Sequence, residues 1–146
     1  MKLTEVIQES SSTTKNATAA IKSYNTRVAA QEAYNQVLVV RHRLPSVEHI
    51  IAKDPEYALE YATNILKTPW PMGEPAIATQ GWTALDYALL VLNGSFPTGE
   101  KAISKNAEYS FYYATKVLRK PFPLGENIIK SVPKFRNAYE AFLKKS

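Results

Sequence analysis

Three glutamates that recur at one fixed interval are the first residues in this chain that could do chemistry. Glu74, Glu100 and Glu126 each follow a glycine, and successive members are 26 residues apart. Carboxylates aligned in this way could bind a cation or a basic partner. The alternative interpretation, which we favour, is that each glutamate lies in the first turn of a short helix, where its charge compensates the helix dipole.

Aromatic residues recur at the same interval in two sets. One set is Trp70, Phe96 and Phe122, and the other consists of the tyrosines at positions 61, 87, 113 and 139. Aromatic rings at regular spacing could form a surface that stacks on nucleic-acid bases or on a partner. Repeated aromatic residues more often build a core, so we predict a structural role for both sets.

The basic residues form a further candidate site. Residues 51–108 contain seven acidic and four basic side chains, whereas residues 109–146 contain two acidic and eight basic ones. A basic cluster could contact phosphate groups, and the alternative is a solvated surface that caps the end of the fold. Three of these residues, at 41, 67 and 119, could share one edge, although Asn93 interrupts the row. The candidate partner-binding or nucleic-acid-binding residues are Arg41, Arg43, Lys67, Lys116, Arg119, Lys120, Lys130, Lys134 and Arg136.

Catalytic and metal sites find little support in the sequence. Cysteine is absent, and neither of the two histidines, His42 and His49, has a second ligand at metal-binding spacing. The chain contains no glycine-rich phosphate loop and no nucleophile elbow. We therefore expect a protein that is not an enzyme and that binds no cofactor, metal ion or small molecule, with a small enzyme as a remaining alternative.

The length and composition indicate one domain. The chain has 146 residues, a net charge of +5 and 45% hydrophobic residues, which is enough for a real core. The N-terminus lacks the apolar stretch of a secretory signal. The longest apolar run, residues 87–92, is far shorter than the ~20 residues that a membrane span needs. We expect no membrane association and a location inside a cell.

The recurring residues belong to a longer repeated phrase. It reads KTPWPMGEPAI at 67–77, NGSFPTGEKAI at 93–103 and RKPFPLGENII at 119–129, and an earlier degenerate copy places Leu44-Pro45, Glu48 and Ile51 at the matching positions. Internal repeats with periods of 20–50 residues indicate a solenoid or a related array. The positions predicted to build this scaffold are Tyr61, Trp70, Pro71, Gly73, Glu74, Tyr87, Phe96, Pro97, Gly99, Glu100, Tyr113, Phe122, Pro123, Gly125, Glu126 and Tyr139.

Each repeat predicts a longer helix, an extended corner and a short helix. Asp54 is a predicted N-cap, Pro55 suits the first helical position, and apolar residues follow at helical spacing. The corner prolines then prevent the helix from continuing. In the next copies Thr83 with Asp86, and also Asn106, are predicted caps.

The predicted fold is therefore all-α, an α-solenoid of about four two-helix repeats behind an N-terminal helical cap. We expect a flexible tail at residues 1–16 and a single helical-repeat domain at residues 17–146. Residues 17–40 should form a helix, with a break near Asn25-Thr26.

The phrase YAxxVLxxPFPxGExxI resembles short helical repeats of uncharacterised proteins of large tailed bacteriophages, over about residues 40–146. Such proteins have no assigned activity, so the resemblance implies a phage context and little about function. Ile7-Gln8-Glu9 before Ser10 also resembles the site cut by phage head-maturation proteases, which implies cleavage of a leader after Glu9.

Together these observations predict a non-catalytic module that docks another protein. In a phage it would modulate a host factor in the host cytoplasm or, alternatively, be part of the virion. The second hypothesis is a nucleic-acid-binding protein that uses the basic C-terminal end.

Overall fold

The structure, a computed structural model, describes residues 3–146, with side chains described from residue 11 onward. Within this range the chain forms nine α-helices and no strand, and 78% of it is helical. The prediction of an all-α protein is confirmed. None of the helices within the described range is both long and apolar enough to cross a lipid bilayer.

The first helix, α1, runs without interruption over Leu3–Val40. Residues 3–16, for which the sequence predicts a tail, continue this helix, and the predicted break near Asn25-Thr26 is wrong. The physical reason is that the chain has no proline or glycine from Leu3 to Val40, so no residue there forbids helical geometry. Met1 and Lys2 lie outside the described residues. The predicted cleavage after Glu9 falls among residues whose side chains are not described, and it stays a prediction.

The remaining helices alternate between longer and shorter elements. The shorter ones are α2 (Pro45–Ile51), α4 (Glu74–Ile77), α6 (Glu100–Ile103) and α8 (Pro123–Ser131). The longer ones begin with α3 (Pro55–Glu60), α5 (Gly81–Tyr87), α7 (Ala107–Tyr112) and α9 (Pro133–Lys145). The helices α1, α3, α5, α7 and α9 lie side by side in that order, and each short helix packs on the longer one before it. We call α3, α5 and α7, each with the π-helical turn that continues it, the first helices.

All three first helices continue as π-helical turns, over Tyr61–Leu66, Ala88–Leu92 and Tyr113–Leu118. Each turn ends at a residue with left-handed backbone geometry, namely Lys67, Asn93 and Arg119, with φ of 54°, 49° and 54°. Arg41, which ends α1, has a φ of 58°. The left-handed residue turns the chain out of the helix and into the extended corner, a common way to end a helix.

The core contains equivalent residues from each copy of the 26-residue pattern. The four isoleucines at positions 51, 77, 103 and 129 are fully buried, and so are the four tyrosines at 61, 87, 113 and 139. Burying each isoleucine contributes about 1.5–3 kcal/mol relative to an exposed side chain. The alanines after the tyrosines, Ala62, Ala88 and Ala114, are also fully buried, which lets neighbouring helices approach closely.

The helix starts agree with the predicted caps in two copies and differ in one. Asp54 accepts hydrogen bonds from the amides of Glu56 and Tyr57, and Asn106 accepts one from the amide of Tyr109. The predicted cap at Thr83 with Asp86 is wrong, because α5 already begins at Gly81. Thr83 lies inside the helix.

The N-cap position of α5 is instead occupied by Gln80, the equivalent of Asp54 and Asn106. Its backbone has the extended geometry of an N-cap, yet its side chain makes no cap hydrogen bond. The Oε1 atom of Gln80 is buried and has no hydrogen-bond partner. The extra methylene of glutamine prevents the short reach that aspartate and asparagine use.

Replacing Gln80 by aspartate should therefore stabilise the protein. We expect Gln80→Asp to raise the free energy of unfolding by about 1 kcal/mol, since it would supply the missing cap and remove a buried amide without a partner. Urea-induced unfolding followed by circular dichroism measures this change. As the matched control, Asn106→Ala should lower the free energy of unfolding by a similar amount. A Gln80→Asp protein no more stable than the parent, beside a destabilised Asn106→Ala protein, would contradict the assignment.

Candidate functional site

Each buried tyrosine joins two parts of the chain through its hydroxyl group. The amide of Trp70 donates to Tyr87 Oη at 2.7 Å, and Tyr87 Oη donates to Glu74 Oε1 at 2.9 Å. Trp70 and Glu74 flank one corner, whereas Tyr87 belongs to the following first helix. The hydroxyl therefore holds the extended corner, whose amide has no helical partner, against the next copy of the pattern.

The same arrangement recurs at the same offsets. The amide of Phe96 donates to Tyr113 Oη, which donates to Glu100, both at 2.8 Å. In the first copy Leu44 and Glu48 take these roles toward Tyr61, at 3.2 and 2.8 Å. In the last copy the amide of Phe122 donates to Tyr139 at 3.2 Å, but Glu126 instead accepts from Lys130 at 2.7 Å. We call the three complete sets the tyrosine links.

The ring of each tyrosine also contacts the aromatic residue of the corner that follows it. The ring centroids of Tyr61 and Trp70 are 5.0 Å apart, those of Tyr87 and Phe96 are 5.1 Å apart, and those of Tyr113 and Phe122 are 5.0 Å apart. Tilted or edge-on pairs at this distance are favourable beyond their burial. One tyrosine thus contacts the corner before it with its hydroxyl and the corner after it with its ring.

The corner glycines make room for the aromatic ring. A Cβ atom on Gly99 would lie 2.6 Å from both Ala84 Cβ and Phe96 Cδ1, which is too close for any side chain. Gly73 and Gly125 are crowded in the same way by Trp70 and Phe122. The degenerate first copy has Val47 at this position, where the corner residue is the smaller Leu44. Glycine therefore accompanies an aromatic corner residue.

The glutamate row is thus engaged inside the protein rather than offered to a ligand. Glu48, which is 3% exposed, also accepts two hydrogen bonds from Arg43, at 2.7 and 3.2 Å. The hydrogen bond from Arg43 is the main cause that lowers the pKa of Glu48, and the bond from Tyr61 acts in the same direction. The sequence suggested dipole compensation for these glutamates but did not reveal their bonds to tyrosine. The signal that could have revealed them is the constant offset of 13 residues between each glutamate and its tyrosine.

Burial raises the pKa values of the linking tyrosines. It raises the pKa of Tyr61 and of Tyr87 to about 12, and it also raises the pKa of Tyr113. The hydrogen-bonded glutamate adds to the effect, because a phenolate beside a carboxylate is repelled, while the corner amide opposes it. The links therefore require the protonated phenol.

The candidate basic residues do not form one cluster. Lys116 and Arg119 line a cleft of about 530 Å³ together with Asn93 and Gly94. Arg43 and Lys130 form ion pairs with Glu48 and Glu126. The remaining candidates are exposed: Arg41 at the end of α1, Lys67 and Lys120 near the ends of first helices, and Lys134 and Arg136 on α9. Lys134 lies over the ring of Phe135 at 5.3 Å.

Arg41, Lys67 and Arg119 occupy equivalent left-handed positions, as the 26-residue spacing implies, and Asn93 is the fourth member of that row. A cation at a helix C-terminus also compensates the helix dipole. Of the predicted basic residues, only Lys116 and Arg119 line one cleft, whereas Arg41 and Lys67 occupy equivalent positions in other copies.

A different set of positions is exposed or half-buried and varies in chemistry from copy to copy. One residue comes from each of three successive turns of a first helix, so each of the three copies contributes three residues. We call it the nine-residue face: Glu56, Glu60, Asn64, Trp82, Asp86, Leu90, Glu108, Tyr112 and Lys116. Leu90 is 60% exposed, and Trp82 and Tyr112 are each 37% exposed. Sequence analysis identified only Lys116 among these as a candidate binding residue.

Removing the hydroxyl group of one tyrosine link should destabilise the folded protein. We expect Tyr87→Phe to lower the free energy of unfolding by about 1–3 kcal/mol, because it leaves the buried amide of Trp70 without an acceptor. Urea unfolding at neutral pH measures the loss. Tyr139→Phe is the matched control: its hydroxyl bonds no glutamate and accepts a longer hydrogen bond, so its loss should be smaller. Equal losses in the two variants would contradict the proposed importance of the complete link.

The raised tyrosine pKa values predict an alkaline transition. A group whose pKa is higher in the folded state stabilises that state below its unfolded pKa, here 10.0, and this stabilisation disappears as the pH rises through the folded value of about 12. The difference in unfolding free energy between the parent and Tyr87→Phe should therefore shrink between pH 10.0 and about 12. Urea titrations across that range measure it, and a difference that stays constant with pH would refute the prediction.

Comparison of the chain with models of protein families, with curated proteins and with solved structures gave no match. The role of the chain is therefore inferred from its own residues and contacts.

Proposed function

We propose that the chain is a non-catalytic α-solenoid of about four two-helix repeats whose role is to bind another protein. The observation that carries this proposal is the difference between the repeated positions and the exposed positions. The repeated tyrosines, glutamates, glycines and corner aromatics make internal contacts, whereas the exposed positions of the first helices differ from copy to copy. In repeat proteins the recurring residues build the scaffold, and the varying surface residues determine what is bound.

The exposed apolar side chains favour a protein partner. Trp82, Leu90 and Tyr112 project from first helices, and Met72 and Leu124, which are 52% and 59% exposed, follow two of the corner prolines. Aromatic residues and methionine are enriched at protein–protein interfaces. The resemblance to repeats of tailed-phage proteins supports the proposal that this binding takes place in a phage-infected bacterium, in the host cytoplasm or in the virion.

Nucleic-acid binding is the second candidate, and a specific observation favours it. Arg41, Lys67 and Arg119 are exposed, occupy equivalent left-handed positions, and make no ion pair within the described residues. A row of such cations could follow a phosphate backbone. Against it, Asn93 interrupts the row and two of the other candidate cations already form ion pairs.

The two functions differ in their dependence on salt and on nuclease. We expect a tagged chain to capture the same protein from nuclease-treated and untreated extracts of infected cells, since the contact is between proteins. Capture should be lost in at least one of two variants, Trp82→Ala/Leu90→Ala or Met72→Ala/Leu124→Ala, which remove the two sets of exposed apolar side chains. It should persist in Arg119→Gln/Lys120→Gln, the control that removes only cations.

The opposite pattern would overturn the proposal. Capture that disappears after nuclease treatment and in Arg119→Gln/Lys120→Gln, together with retention on heparin that falls steeply as salt rises, would establish nucleic-acid binding. Capture of no protein that depends on either apolar set would also refute the docking function.

A further inference from the structure

The nine-residue face has a composition that indicates the chemistry of its partner. The three first helices lie side by side, so the nine positions form three neighbouring columns. The face contains four carboxylates and one cation, Lys116, around three exposed apolar side chains. Charges predominantly of one sign around an apolar centre are typical of a surface that selects a partner of the opposite charge.

The central column carries the apolar part of the face. Trp82, Asp86 and Leu90 lie on successive turns of α5 and its continuation, Ala88–Leu92. In the two neighbouring columns a glutamate, Glu56 or Glu108, takes the place of Trp82. Tryptophan is the residue most enriched among interface hot spots, whereas scaffold positions here repeat from copy to copy. The exposed tryptophan is therefore better explained by a contact than by the fold.

Asp86 at the centre of the face is a carboxylate without a partner. It is half-buried, and no hydrogen bond or ion pair to it occurs within the described residues. Burial raises its pKa, because no neighbouring cation offsets the loss of hydration. By contrast, Glu56 on the same face accepts a 2.7 Å hydrogen bond from Arg27. A cation brought by a partner would satisfy Asp86 and recover the lost hydration energy.

We propose that the nine-residue face binds a basic segment of another protein, with a lysine or arginine that pairs with Asp86 and lays its aliphatic stem on Trp82 and Leu90. Long cationic side chains bury their methylene groups on apolar surface while the charged head reaches a carboxylate, and an indole ring also attracts a cation. In the neighbouring columns Glu60 occupies the position equivalent to Asp86 and Glu108 the position equivalent to Trp82, and both carboxylates would attract further basic residues. This inference rests on the proposed docking function and specifies its surface and the charge of its partner.

The chain itself carries one basic segment that could compete for this face. Lys134, Arg136, Lys144 and Lys145 all lie on α9, so a second copy could place α9 on the face. Such a contact would join unlike surfaces and would generate open chains of molecules rather than a closed dimer. We commit to a separate protein, and self-association is an outcome that the experiment must reveal.

The experiment uses a library of short random peptides displayed on a carrier and selected on the immobilised full chain. We expect the enriched peptides to be basic and to place lysine or arginine beside large apolar residues. An enriched peptide, labelled with a fluorophore, should lose about tenfold or more in affinity against Asp86→Asn and against Trp82→Ala, measured by fluorescence anisotropy. The matched controls, Glu140→Gln and Val39→Ala, alter an exposed carboxylate and an exposed apolar residue elsewhere and should leave the affinity unchanged.

Five results would overturn the inference. Enriched peptides without basic character would refute the predicted chemistry, and equal binding by the face variants and the controls would refute the location. Concentration-dependent growth in mass by light scattering that is abolished by Asp86→Asn would assign the face to a second copy. If Asp86→Asn and Trp82→Ala bind normally but Met72→Ala/Leu124→Ala does not, the docking function stands and only this face is wrong. If no peptide is enriched, the inference fails, while the capture experiment decides the docking function separately.

Discussion

The hydrogen bonds of the buried tyrosine hydroxyls are the constraint on which the rest of this structure depends. A corner that contains prolines cannot form regular helical bonds, so its remaining amides need an acceptor from elsewhere. Tyr87 supplies one to Trp70 from 17 residues further along the chain, and it donates to Glu74 from 13 residues further along. These hydrogen bonds fix the 17 residues from a corner to its tyrosine, and the ring contact of Tyr87 with Phe96 spans the other nine residues of the copy. One inserted residue would therefore separate a corner from its tyrosine.

The same constraint explains how the pattern ends. Inner copies have a small buried residue, Ala84 or Ser110, at the position that faces the next corner glycine. In α9 this position is the exposed Arg136, and the alanine that follows each inner tyrosine is replaced by the exposed Glu140. At the other end, Asn35 stands in α1 where Tyr61 stands in the next copy, and it too is exposed. Exposed polar residues thus occupy positions in α1 and α9 at which the inner copies have buried scaffold residues.

Much of the architecture was accessible from the sequence, because proline, glycine and cap residues act locally. The all-α class, the caps at Asp54 and Asn106, and the extended corners follow from short-range rules. The features that the sequence analysis missed depend on contacts between distant residues or on the absence of a helix breaker. The full extent of α1 reflects the lack of any helix breaker, and the π-helical turns and the left-handed Lys67 and Arg119 have no strong local signature. Thr83 was misread as a cap because its hydroxyl can serve a cap or an internal carbonyl equally well.

The candidate binding surface could be predicted from the sequence only in part, for a related reason. Repetition draws attention to Glu74, Glu100 and Trp70, which the structure engages in internal contacts. The exposed Trp82 and the unpaired Asp86 became apparent only when equivalent helices were seen side by side. The non-repeated exposed positions of the first helices take no part in the tyrosine links, so their sequence can change without disturbing those links.

Amide hydrogen exchange at the corners tests the central claim most directly. The amides of Trp70 and Phe96 lie in extended segments outside any helix, next to prolines, and would exchange quickly without the tyrosine acceptor. The account predicts that they exchange at least about a hundredfold more slowly than the neighbouring corner amides of Thr68 and Ser95, at rates set by opening of the core. Exchange of Trp70 and Phe96 as fast as that of Thr68 and Ser95 would contradict it.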